Sequence, residues 1–329
     1  MKTEICQTAG LSTLLKISQP TLDQALQTFL YIGVGGKSSV TARWYRTKLS
    51  DLVNALGSGI PIVSVMEADL LDWFTGLELR SSRWGNDSSH PRTEGKLSAE
   101  TLHGYVRACK FFFKWLFEHK VIGENPAEHL ALPKIPRRGK SGISEANLKA
   151  ILEGARENLR DYAVLRFLES TGCRRGGVAN LLLSDLNLDA ADQRIRRRAT
   201  VREKGDKERT VVMTPAGLAA LQAWLEIRPT IDDEHVFLGQ TNGGDWRPFA
   251  EAGISEMMGR YKLRLGLKGK CSPHQWRHRW ARKRLMEGME LSQVSQLLGH
   301  EDVSVTVRYY GQFTLDQLQD AYDRFTEDC

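Results

Sequence analysis

The segment 273-PHQWRHRWARKR-284 carries His, Arg or Lys at seven of its twelve positions. Two of them, His274 and Arg277, are three apart, and on a helix they share a face. Ser272-Pro273-His274-Gln275 has three signals of a helix start: serine at the N-cap, proline in the first position, and glutamine completing a capping box. The first turn of a helix holds free N–H groups and partial positive charge. Imidazole and guanidinium placed there together suit a phosphate. A solvated basic face reads the same way. Cys271, His274 and His278 also stand at metal-like spacing, although a structural zinc site needs a fourth ligand and the chain has no CxxC and no second close histidine pair.

Three further stretches carry candidate chemistry. In 171-TGCRRGGVANLLLSDLNL-188 a helix closes at Thr171-Gly172 and two arginines follow at once, so the turn can aim Arg174. Lys204 stands beside the tip of a basic hairpin, where an ordinary surface lysine also fits. In 297-LLGHEDVSVTVRYYGQF-313 a helix closes at Gly299, His300 follows directly, and Tyr309 comes nine residues later.

The elements that must position these residues read as two domains. Residues 20–80 form helices with short loops, and 39-SVTARWYRTKLSDLVNAL-56 gathers Trp44, Leu49, Leu52, Val53 and Leu56 near one face. The polar run 81–96 is a loop, and a long helix starts at a Ser98 N-cap. The segment 133-PKIPRRGKSG-142 has two prolines, two glycines and four basic residues and reads as the linker, with Ser144 capping the next helix. From 193 to 213 the period changes: Ile195, Val201 and Thr210-Val211-Val212 predict strands, with Gly205-Asp206 as the hairpin turn. Beyond Pro248 the pattern is helical again. Trp276 and Trp280 pack inward, while Val303, Val305 and Val307 alternate as a strand does. The expected fold class is mainly α, a helical domain followed by a mixed α+β domain with a small antiparallel sheet. The division is an N-terminal tail 1–20, a first domain 21–132, a basic linker 133–143 and a second domain 144–329.

At 329 residues the chain has length for two cores, and 41% hydrophobic with 26% charged residues is the composition of a globular protein, not a disordered one. The formal charge is +6 and it is concentrated: Arg194 to Arg209 holds eight Lys/Arg against three Asp/Glu, which favours an anionic partner. Five scattered cysteines do not make a disulfide framework and point to a reducing cytoplasm. No secretory signal and no membrane-length apolar run is present, so no membrane partner is expected.

Taken together, the four stretches resemble the tyrosine recombinase (phage integrase) family. The order Arg174, Lys204, His274-x-x-Arg277, Leu298-Gly299-His300, Tyr309 is that family's active-site order at compatible separations. Residues 98–126, ending in Glu124-Asn125-Pro126, are similar to the last helix of its core-binding domain and the turn after it. The resemblance implies that 21–132 binds core DNA and 144–329 is catalytic, with no cofactor and no metal. It implies that Arg174 and Arg277 clamp the non-bridging oxygens of a DNA phosphate and His300 donates a further hydrogen bond. His274 would accept a proton or hydrogen bond, Lys204 would protonate the leaving 5′-oxygen, and Tyr309 would attack phosphorus to give a 3′-phosphotyrosyl link.

The chain departs from the family at Gly177, where Glu or Asp is common and supports the active-site scaffold, and at Trp276, where leucine is usual. Arg175, Lys207 and Tyr310 are neighbours that leave each assignment an alternative. The resemblance further implies a clamp on duplex DNA. It also implies a tetramer on two sites, joined through the tail helix 314-TLDQLQDAYDRF-325 with its stripe Leu315, Leu318, Tyr322 and Phe325. A type IB topoisomerase and a DNA-binding protein that has lost catalysis are the rival readings.

Overall fold

The computed structural model describes residues 19–81, 95–136, 142–203, 207–300 and 302–310, and the single positions 315, 319, 322 and 323. The chain divides into two compact units, Met1–Arg137 and Arg138–Cys329. Among the described residues it is mainly helical with two small antiparallel sheets.

In the first unit, α1 (Leu22–Thr28) is capped reciprocally by Thr21 and Gln24 and runs into a π turn at Phe29–Gly33. Then follow α2 (Ser39–Leu56), α3 (Glu67–Leu79) and α4 (Ala99–Glu118), the last with Ser98 as its N-cap. Leu49, Leu52 and Val53 of α2 are buried against Phe29, Phe112 and Phe113, with Trp44 and Leu56 packed at the edge. Asp51 ties α2 to α3, accepting from Arg80 Nη1 at 2.8 Å and Trp73 Nε1 at 3.1 Å.

The second unit opens with α5 (Glu145–Gly154), capped by Ser144, and α6 (Leu159–Thr171), followed by the short α7 (Arg175–Ala179). A helical turn α8 (Gln193–Arg196) leads into the hairpin of β1 (Arg198–Glu203) and β2 (Lys207–Val212), whose end pair is Glu203 opposite Lys207. Ile195, expected in a strand, is in α8 instead, because Asp192 accepts from Arg194 N at 2.7 Å and caps a helical turn there. The expected hairpin turn, Gly205-Asp206, lies outside the described residues. After the hairpin, α9 (Pro215–Ile227) lies along α6, and β3 (Leu238–Gln240) pairs with β4 (Trp246–Pro248). The chain then forms α10 (Glu251–Arg264), α11 (Pro273–Met286), α12 (Leu291–Leu298) and α13 (Val303–Tyr310).

Two local expectations at the C-terminal end are corrected. Val303, Val305 and Val307 are helical, not a strand, in α13. Asp302 starts the helix by accepting from Ser304 N at 2.7 Å, and Thr306 and Tyr310, four apart, bury its inner face (0% and 2% exposed). Ser272 is the N-cap of α11, but its side chain makes no capping hydrogen bond. Pro273 removes one orphan N–H, and the Gln275 N–H that the serine hydroxyl would bind in a capping box is taken by the Ser272 carbonyl at 2.9 Å instead. Of the tail stripe, Leu315 and Tyr322 are helical and exposed at 82% and 66%; Leu318 and Phe325 lie outside the described residues. Among the described residues no helix is long and apolar enough to cross a membrane.

Candidate active site

Two glycines set the approach of the site's arms. α6 ends at Gly172 (φ +60°) and α12 at Gly299 (φ +67°), both left-handed C-caps. A Cβ on Gly172 would lie 2.7 Å from the Trp280 ring, and one on Gly299 would lie 2.6 Å from Arg209 Cδ. Each position therefore needs glycine for the backbone turn and again for the side chain pressed against it. Trp280 Nε1 donates to the Ser170 carbonyl at 2.8 Å, which holds α11 against the end of α6.

That contact draws Arg277 beneath the turn that carries Arg174. Arg277 is 2% exposed, so the guanidinium expected on an open helix face is enclosed. Its Nη1 donates to the Gly172 carbonyl at 3.0 Å, and its Nη2 to the Leu298 carbonyl at 2.6 Å and to His300 Nε2 at 3.1 Å. The ends of two helices thus direct carbonyls, and the negative ends of their dipoles, at one cation.

Arg174 is the N-cap residue of α7. Its backbone N–H donates to Glu203 Oε1 at 3.0 Å, its Nη1 donates to Glu203 Oε2, and its side chain stays 40% exposed. Arg209 enters from β2: Nη2 donates to Glu203 Oε1 at 2.9 Å and Nη1 to the Leu297 carbonyl. Arg277 Nη1 lies 3.8 Å from the same Glu203 oxygen. One carboxylate, 5% exposed, therefore faces three guanidinium groups. Burial, with Arg174 and Arg209 beside it, pushes Arg277 down to about 9, still charged at neutral pH. Burial likewise holds Arg174 and Arg209 below the ordinary guanidinium range.

His300 follows Gly299 directly, and burial, with Arg277, Arg174 and Arg209 around it, pushes it down to about 4. It is neutral at pH 7. Because Arg277 donates to Nε2, the proton sits on Nδ1, 2.7 Å from Thr306 Oγ1 on α13. α13 is held at a second point by Tyr310, whose Oη is 2.8 Å from His278 Nδ1. His278 also stacks edge-on with His274, ring centroids 4.2 Å apart, and His274 is exposed in the first turn of α11.

The structure thus gathers Arg174, Arg277 and His300 in one cluster, while His274 stands against His278, which reaches Tyr310 on α13. Lys204 lies outside the described residues. The backbone of Tyr309 belongs to α13, and its side chain lies outside the described residues. Arg175 points elsewhere, to Glu251 at 2.9 Å and Ser255 at 3.0 Å on α10, and Lys207 is exposed on β2. Cys271 is in the core, where Asn147 Nδ2 approaches its sulfur at 3.7 Å; among the described residues no group of three or more His, Cys, Asp or Glu is placed to hold a metal.

Three residues of the cluster escape motif reading: Glu203, Arg209 and Thr306. Strand alternation is the signal for two of them. Ala199 and Val201 face the core, so Glu203 faces it too; Val211 does the same for Arg209. Thr306 has no such signal, since its segment reads as a strand.

A model of the phage integrase family matches residues 142–314. The tyrosine recombinase XerC of Xanthomonas campestris pv. campestris (strain B100) is 30% identical over 230 residues, 69% of this chain and 68% of that protein. Two solved structures share the fold. One is an integrase of the Tn1549 transposon in complex with a circular intermediate DNA, with TM-score 0.69 and 19% identity over 94% of this chain and 100% of that one. The other is a lambda integrase tetramer bound to a Holliday junction, with TM-score 0.67 and 15% identity over 91% of this chain and 80% of that one. The family match and the recombinase relative define the class, a DNA strand-transferase. Within it, this chain belongs to the phage integrase family, as a tyrosine recombinase.

Proposed function

We propose that this recombinase cleaves and rejoins DNA strands at a specific site through a 3′-phosphotyrosyl intermediate, with each step carried by the residues above. The single observation that supports this most is the convergence of Arg174, Arg277 and His300 from three separate elements, beside the helix that carries Tyr309. A phosphodiester repels nucleophiles, and attack adds negative charge to its equatorial oxygens. Arg174, half-open to solvent, meets the phosphate first, and Arg277 completes the clamp from below.

Tyr309 Oη forms the bond to phosphorus and the P–O5′ bond breaks. His274 receives the phenolic proton and Lys204 returns one to O5′. Phenol has a pKa of about 10, so it needs that removal or cationic stabilisation. His300 begins as an acceptor from Arg277. When Arg277 turns Nη2 to the phosphate, His300 changes tautomer, its Nδ1 proton passing to solvent as Nε2 takes one from it. The Thr306 hydroxyl then donates to Nδ1, and Nε2–H donates to the same phosphate oxygen. The ester conserves the energy of the broken bond, so rejoining to another 5′-hydroxyl needs no nucleotide.

The first unit binds the core DNA site, and the second is the catalytic domain. Active complexes are tetramers on two sites, joined by the tail helix that presents Leu315 and Tyr322, in the reducing cytoplasm. The tetrameric lambda integrase on a Holliday junction supports this arrangement as a precedent within the fold.

Covalent capture on a randomised pool of nicked duplexes tests the chemistry. The nick lets the short 5′-hydroxyl fragment diffuse away and strands the intermediate. Detergent-resistant adducts are expected with the unaltered protein and with Tyr310→Phe, and none with Tyr309→Phe. Tight, salt-sensitive DNA binding without any adduct would mean a binder that has lost catalysis. Adduct formation with supercoil relaxation by monomers would mean a topoisomerase.

A further inference from the structure

We propose that Glu203 is the positioning carboxylate of this active site, entering from strand β1 in place of an acid at position 177, and that Gly177 is the residue that makes room for it. The proposal rests on the recombinase reading above and says how this chain keeps its arginines in place. Three guanidinium groups, those of Arg174, Arg209 and Arg277, meet at one buried carboxylate; Arg209 and Arg277 are enclosed with it, while Arg174 opens to solvent. Left alone they would repel one another, and burial adds a further cost to each charge. Glu203 is the carboxylate the described contacts place among them. It grips Arg174 twice, at the backbone N–H and at Nη1, so it fixes both where the α7 turn begins and where the guanidinium points. Its other oxygen contact, from Arg209, ties β1 to β2 beneath the site. Arg174 still has donors to offer, because only Nη1 is engaged with Glu203 and the side chain remains 40% exposed. The net charge left on the cluster is three positive minus one negative, which suits a phosphoryl group gaining negative charge.

Gly177 is the second half of the observation. It lies in α7, buried, with no positive φ that would call for glycine on backbone grounds. A Cβ there would come 3.3 Å from Val201 Cβ, 3.6 Å from Glu203 Cγ and 3.7 Å from Glu203 Oε1. A Cβ at 177 would thus be tight against Val201 and already in van der Waals contact with Glu203, so a side chain longer than a methyl and pointing that way would compete with Glu203 for space. With that Cβ 3.7 Å from Glu203 Oε1, an aspartate at 177 is expected to reach the place of the Glu203 carboxylate once Glu203 is removed. The two positions are alternative sources of one negative charge.

The test is a cycle of Glu203→Ala, Gly177→Asp and the double variant, with Glu203→Gln as the isosteric control. Adduct formation on the nicked-duplex pool, DNA binding to an intact pool, and thermal stability are measured for each. Glu203→Ala and Glu203→Gln should slow adduct formation by about 10- to 100-fold, the size usual for groups that orient a reacting side chain. Their DNA affinity should stay within about threefold, since phosphate contacts outside the site supply most of it. Gly177→Asp alone should lower stability and rate, because it crowds a second carboxylate against the first. The double variant should recover at least about tenfold of the rate lost in Glu203→Ala and melt above both single variants. An unchanged rate in Glu203→Gln, or a double variant no faster than Glu203→Ala, would overturn the proposal. Should the unaltered protein form no adduct, the recombinase reading fails, and the stability cycle still decides whether the two positions exchange one carboxylate.

Discussion

His278 Nδ1 and Tyr310 Oη are 2.8 Å apart, and both side chains are buried, at 1% and 2% exposure. The second of two adjacent tyrosines on α13 is therefore committed to the core, in a cluster with Trp280, Val294 and Leu298. This separates two residues that sequence spacing leaves nearly equivalent. Tyr310→Phe is expected to cost about 1–3 kcal/mol of stability, since it strands His278 without that partner. It should leave adduct formation intact at a temperature where the variant is folded. Tyr309→Phe should do the reverse: unchanged melting and DNA binding, no adduct. Denaturant melts and covalent capture on the same preparations distinguish the two.

The lowered basicity of His300 has a consequence for stability. Its pKa falls from 6.5 to about 4 on folding, so between those values the unfolded chain binds the extra proton. The stabilisation from keeping His300 neutral is fully present above pH 6.5 and is lost as pH falls toward about 4. A His300→Gln variant should lose stability less steeply than the unaltered protein over that window, as read by urea melts at several pH values. Equal slopes would show that His300 is not buried against its arginines.

Gly172 and Gly266 share a backbone conformation, at φ +60° and +61°, but not surroundings. A Cβ on Gly266 meets nothing within 4 Å, whereas one on Gly172 runs into Trp280. Gly266→Ala should cost about 1 kcal/mol from backbone strain alone. Gly172→Ala should cost about 2–4 kcal/mol, strain plus overpacking. It should also slow adduct formation, because the Gly172 carbonyl holds Arg277. Thermal melts and capture rates of the two variants side by side measure the difference.

Arg277→Lys keeps the charge but loses the planar fork that spans Gly172, Leu298 and His300. The expected loss is about 10²- to 10³-fold in adduct formation, with DNA affinity little changed. A lysine variant with near-normal rate would show that charge alone suffices and that the enclosed fork is not used.

Local chemistry in the sequence was enough to specify the helix starts at Ser98 and Ser144, the glycine stops at 172 and 299, and the inward tryptophans of α11. Each depends on groups within a turn or two of one another, so each is written in a short window. The order Arg174, His274, Arg277, His300 and Tyr309 came from a resemblance to the family, and the tertiary structure brings Arg174, Arg277 and His300 of it together. What a window does not contain is the partner brought by another element. The exchange of valine alternation for helix α13 was decided by Thr306 reaching His300 and Tyr310 reaching His278, contacts set by where α11 and α12 lie. The enclosure of Arg277 was decided by two helix ends meeting over it, 105 and 21 residues away along the chain. The role of Glu203 was hidden within a strongly basic hairpin, because a carboxylate acquires that role only when folding presses three guanidinium groups around it and removes the water that would otherwise screen it from Arg209 and Arg277.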